Sequence, residues 1–140
     1  MGESSALYQR LYEQGLINPS FGGAFEMMPG VAYLYAGGDS KDPRAVARAI
    51  LSEAKRLTEE GLDEAYYRRI VNANFGAALK ALNSFESIAV SMAEGCFHRY
   101  DPYRFPEVYD SITQQDVLDF IRENFVESHM ALSVIHPKEG

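Results

Sequence analysis

The tightest constraint on this chain is a four-residue stretch, Met28-Pro29-Gly30-Val31. Pro at the second position and Gly at the third specify a type II turn, because Pro presets φ and Gly accepts a positive one. The turn lies between two runs that read as strands, Ser20–Met27 and Val31–Ala36. In the second run Val31, Tyr33 and Tyr35 alternate with Ala32, Leu34 and Ala36, so both faces of the hairpin are at least half apolar. The rest of the chain must therefore supply cover. Gly22-Gly23 weakens the first strand and marks a bulge or a close approach of another backbone.

A helix precedes the hairpin, with Ser4 or Ser5 as N-cap and an apolar stripe at Leu7, Tyr8, Leu11 and Tyr12. Gly15 stops it where a left-handed residue is wanted, and Leu16 can pack back on Leu11 as in a Schellman ending. After the hairpin, Asp42-Pro43 caps and opens a helix with Val46, Ile50, Ala54 and Leu57 on its inner stripe, ended by Gly61. Asp63 begins a longer helix to about Asn83 through Tyr67, Ile70, Val71, Phe75, Ala78, Leu79 and Leu82. Ser84 re-caps the chain for a helix carrying Phe85, Ile88, Ala89, Met92, Cys96 and Phe97 on one apolar face. Gly76 and Gly95 cost about 1 kcal/mol each against Ala inside these helices, which close backbone packing explains, with a helix end as the alternative at Gly95. Residues 103–109 read as an aromatic connector with one short turn at Pro106. Thr113 and Asp116 then form a capping box for a helix through Val117, Phe120, Ile121 and Phe125. Met130–Ile135 alternates like a final strand. The fold class expected is α+β: a small, antiparallel-rich sheet of about three strands covered by about five helices.

A length of 140 residues fits one domain. That sheet is thin for its helices, so a strand is expected upstream or from another chain, with self-association if edge and helix faces stay bare. A formal charge of −7 excludes a basic phosphate-binding face and hence nucleic acid as a partner. No apolar run approaches the ~18 residues of a membrane span, so no membrane partner is expected. A single cysteine, Cys96, precludes an internal disulfide and fits a cytoplasmic location.

Catalytic chemistry is not legible in the residues themselves. His98, His129 and His136 include no pair at the spacing that places two metal ligands on one helix face, and no His-x-x-Glu-His occurs. Cys96 and His98 diverge by about 200° around a helix. Cys96 reads as a buried, apolar-facing thiol rather than an activated nucleophile. No Gly-x-Ser-x-Gly is present, and the pairs Gly22-Gly23 and Gly37-Gly38 lack a phosphate-loop frame.

Taken in order, Gly2-Glu3-Ser4-Ser5-Ala6-Leu7 through Gly15-Leu16, the hairpin, Gly37-Gly38-Asp39, the Pro43 helix and Glu60-Gly61-Leu62-Asp63-Glu64 resemble the C-terminal domain of insulinase (pitrilysin, M16) zinc peptidases. Asp110-Ser111-Ile112-Thr113 before Asp116-Val117 and the end at Pro137 extend the resemblance over nearly the whole chain, in the flavour of Gram-positive bacterial members. It implies a metallohydrolase-like domain, here residues 1–140 as a single partial domain lacking its first strand and helix. It implies a non-catalytic wall of a proteolytic chamber that helps hold extended peptide. Zinc then belongs to the catalytic half, in the same chain or a partner chain, with no cofactor in this piece. The chain itself is expected to be inactive. Some members carry a substrate-contacting Arg and a following Tyr near the second strand; here Ala32 and Pro43 stand near those places, so the pair is not carried over. Tyr33 and Tyr35 are the candidate substrate-facing residues, against the plainer reading that they pack in the core. The competing function is a catalytically dead scaffold or interaction subunit of a two-chain complex, without peptide contact. A more distant one is a small-molecule-binding α+β domain, which would need a deep apolar pocket with convergent polar groups.

Overall fold

A computed structural model describes residues 5–28 and 30–136. Helix α1 spans Ala6–Glu13, with Ser5 as its cap: the Ser5 hydroxyl accepts from the Tyr8 amide at 3.3 Å. At its other end Gly15 sits at φ +64, and its amide donates to the Tyr12 carbonyl at 2.9 Å while the Leu16 amide donates to that of Leu11 at 3.0 Å. Those two bonds are the full Schellman pattern. Strands β1 (Gly22–Met28) and β2 (Val31–Gly37) pair antiparallel in unbroken register from Gly22 opposite Gly37 to Met28 opposite Val31. Gly30 takes φ +82, as the third position of the expected turn requires; Pro29 lies outside the described residues. Helices α2 (Pro43–Glu60), α3 (Glu64–Ala81), α4 (Phe85–His98), α5 (Phe105–Ser111) and α6 (Gln114–Asn124) follow. Their starts keep the expected chemistry. Carboxylates of Asp42 and Asp63 accept from the amides of Ala45 and Tyr66, and the Ser84 hydroxyl from that of Ser87. Thr113 and Asp116 bond reciprocally, which with the Thr113 hydroxyl foremost holds the Asp116 carboxyl below its ordinary pKa.

The chain divides into two compact units, one of residues up to Glu59 together with those from Ile121, the other Glu60–Phe120. In the first, Leu7, Tyr8 and Leu11 of α1 meet Ile17, Phe21 and Val46, with Leu16, Ala49 and Ile50 packed against them. The loops at the base of the hairpin are pinned together. The Asn18 amide group donates to the Asp39 carboxylate at 3.0 Å, and the Asp39 amide donates to the Ser20 hydroxyl at 3.2 Å. Gly38, at φ +147, lets the exit strand pass so near Phe21 that a Cβ would lie 2.5 Å from the Phe21 Cα. In the second unit, Phe75 meets Phe105 and Tyr109 at centroid distances of 5.5 Å each, and the Tyr67 hydroxyl donates to the Ile112 carbonyl at 2.9 Å.

Several expectations are corrected. Among the described residues the sheet has two strands, not three. Residues 131–136 are exposed and join no ladder, because a strand is a pairing and alternation alone does not create one. The hairpin is not covered by helices: every described position in it except Gly22 is exposed. Cys96 is exposed rather than buried, since α4 presents its apolar residues outward: Phe85 and Phe97 are 86% and 83% exposed. The aromatic connector contains a full helix, α5, and Arg104 just before it pairs with Glu107 in its first turn. Close packing accounts for Gly95, where a Cβ would stand 2.7 Å from both the Tyr100 carbonyl oxygen and the Pro102 Cδ, but not for Gly76, which faces open space. The glycine pair in β1 marks a close approach rather than a bulge, Gly23 lying against the Tyr35 carbonyl in a regular ladder.

Candidate functional site

The turn fixes the register, and the register sorts the hairpin into two chemically different faces. Directly opposed residues of an antiparallel pair share a face, and successive residues alternate. One face therefore carries Phe25, Met27 and Leu34 with Gly23, Ala32 and Ala36, all without a polar side-chain atom. The opposite face carries Tyr33 and Tyr35 with Glu26 directly across from Tyr33, flanked by Ala24, Met28 and Val31. Both faces meet solvent among the described residues, with Phe25 54% and Tyr35 51% exposed.

Tyr33 and Tyr35, the candidate substrate-facing pair, thus stand side by side on one strand face, their ring centroids 6.5 Å apart. They do not pack into the core, as the plainer reading of them held. Sequence reading passed over Glu26, although counting back from the Pro29-Gly30 turn places it opposite Tyr33. The hydroxyls and the carboxylate give this face hydrogen-bonding capacity that the Phe25 face lacks.

No described residues are grouped as zinc ligands would be: no cluster of three or more His, Cys, Asp or Glu side chains converges among them. The donor set here does not fit a catalytic zinc, which takes three protein ligands and an open position. A groove on the second unit, lined by Ala78, Leu82, Ile88, Ser91, Pro102 and Tyr103, holds about 140 Å³. That is below the ~300 Å³ at which drug-sized ligand pockets begin. No helix among the described residues is long and apolar enough to cross a membrane.

The fold defines the class: an α+β domain of the M16-peptidase type. It aligns with the crystal structure of an M16-like peptidase from Alicyclobacillus acidocaldarius at a TM-score of 0.78 and 22% identity, over 88% of this chain and 30% of that one. Sequence carries the assignment further. Residues 1–74 match the family model described as the Peptidase M16 inactive domain. The chain is also 32% identical over 141 aligned positions to the uncharacterized zinc protease YmfH of Bacillus subtilis (strain 168). The chain belongs to the M16 peptidase family, as a non-catalytic C-terminal domain of it. It spans about a third of the length of the curated relative, 98% of this chain aligning with 32% of that protein.

Proposed function

We propose that this chain serves a bacterial, cytoplasmic zinc metallopeptidase as one wall of its proteolytic chamber, holding extended peptide while a catalytic half supplies the zinc. That half belongs to the same longer polypeptide or to a partner chain. The observation that carries the reading is the exposed Tyr33–Tyr35 pair on a regular hairpin. Rigid aromatic side chains give large contact area at small entropic cost, and their hydroxyls can reach a peptide backbone. The chain's own contribution is to bind and orient; no step of bond cleavage is assigned to its residues.

Titrating the isotopically labelled chain with short extended peptides tests this. Amide shifts concentrated at residues 33–35 are the expected result, with no hydrolysis when zinc is added. Shifts confined to other elements, or none, would overturn peptide holding. Zinc copurifying one-to-one would overturn the non-catalytic assignment.

A second reading, a scaffold without peptide contact, is favoured by the wholly apolar Phe25–Met27–Leu34 face, which suits protein packing better than peptide exchange. The same uncovered strands support self-association of the isolated chain, which light scattering across a concentration series reads directly.

A further inference from the structure

The two faces of the hairpin cannot exchange roles, and their difference specifies the peptide. We infer that the Tyr33 face takes an extended peptide bearing a basic side chain that settles on Glu26, while the Phe25 face is the one closed off by protein. This rests on the reading that the hairpin holds peptide, and it adds which face does so and which peptides are preferred.

Three observations combine. The Phe25–Met27–Leu34 face has no polar side-chain atom to satisfy a solvated ligand, so water or a charged peptide there leaves apolar surface poorly used. The Tyr33 face has a single charge, and the register places it directly across from a tyrosine ring, with a second ring next along the strand. A carboxylate on the same hairpin face as two tyrosines suits a Lys or Arg side chain: the cation would pair with Glu26 while its aliphatic stem and charge lie against the rings. The formal charge of −7 over the chain acts in the same direction, repelling acidic peptide and drawing in basic peptide.

The probes are a labelled peptide of alternating Thr and Val with one central Lys, and its Gln and Glu counterparts, each read by fluorescence anisotropy against the 140-residue chain. The expected order is Lys over Gln over Glu, with steps of about two- to fivefold, the scale of exposed ion pairs and cation–π contacts. Glu26 is exposed, so Glu26→Gln and Glu26→Lys keep the fold. The first should shrink the order to the slight bias of the general acidic field, and the second should invert it. Equal binding of all three peptides, with shifts still at Tyr33 and Tyr35, would overturn the charge preference and leave peptide holding intact. The Lys-first order surviving Glu26→Gln undiminished would assign it to the general acidic field and overturn the role of Glu26. Failure of every peptide to bind would bring down the underlying reading and this inference together.

Discussion

Leu11 and Phe97 are both large apolar residues on amphipathic helices, and their fates are opposite. Leu11 is 1% exposed, at the centre of a cluster that draws on α1, the loop before β1 and α2. Phe97 is 83% exposed on α4, where the only buried residue is Gly95, and α3 buries none. Apolar residues recur at helical spacing in both units, although they are less sharply confined to one side on α3 and α4 than on α1 and α2. What separates them is the number of elements that arrive from elsewhere in the sequence to meet the stripe. An amphipathic pattern declares that a face wants cover; it does not supply the cover.

The largest expected effect breaks this comparison at its strongest point. Leu11→Ala should cost about 3 kcal/mol, the transfer term plus the cavity left in a well-packed site. Phe97→Ala should stay within about 0.5 kcal/mol, as for surface substitutions generally. Urea midpoints of the two variants measure the contrast. Similar losses for both would mean that α4 is covered in solution and that the two regions do not differ as described.

Gly38→Ala comes next and sharpens the account of how the hairpin is fastened. A methyl there would meet the Phe21 backbone, Cα at 2.5 Å and N at 2.8 Å, from a residue at φ +147. Backbone cannot rotate aside as a side chain can, so a loss of about 2 kcal/mol is expected. Gly22→Ala, with open space around the added carbon, is the control and should lose at most the small cost of a strand-end change. A Gly38→Ala variant as stable as Gly22→Ala would show that the Phe21 contact yields easily.

These positions also show where the sequence was readable. The caps at Ser5, Asp42, Asp63, Ser84 and Thr113, the Gly15–Leu16 ending and the Gly30 turn are local devices, each set by residues within a few positions of one another, and all are found as expected. Pairing and cover are not local. Met130–Ile135 has the alternation of a strand, yet no described strand lies beside it, and Cys96 has the spacing of a buried face that nothing described closes. The site was half legible. Period-two alternation put Tyr33 and Tyr35 on one strand face, and the family resemblance made them candidates, but separating an aromatic, singly charged face from an all-apolar one required the register, and so Glu26 was missed.

The smallest effect concerns an ionic link between α1 and α2 in the first unit. Glu53 on α2 is 13% exposed, accepts from the Arg56 guanidinium at 2.7 Å and from that of Arg10 on α1 at 3.2 Å. The Arg56 hydrogen bond, ahead of the Arg10 contact, holds the Glu53 carboxyl below its ordinary value, while partial burial opposes that shift. A folded-state pKa lower than the unfolded one means that folding favours the ionised form. Its contribution is therefore present above about pH 4.5 and is lost as pH falls from there through the depressed value. Glu53→Gln should cost ~1 kcal/mol or less at neutral pH, since Arg10 is half exposed and water screens the pair. The difference in urea midpoint between the variant and the parent should narrow as pH drops below that window. A gap that stays constant across it would mean that Glu53 fastens α1 to α2 by packing its stem, and that its charge is incidental to the contrast between the two units.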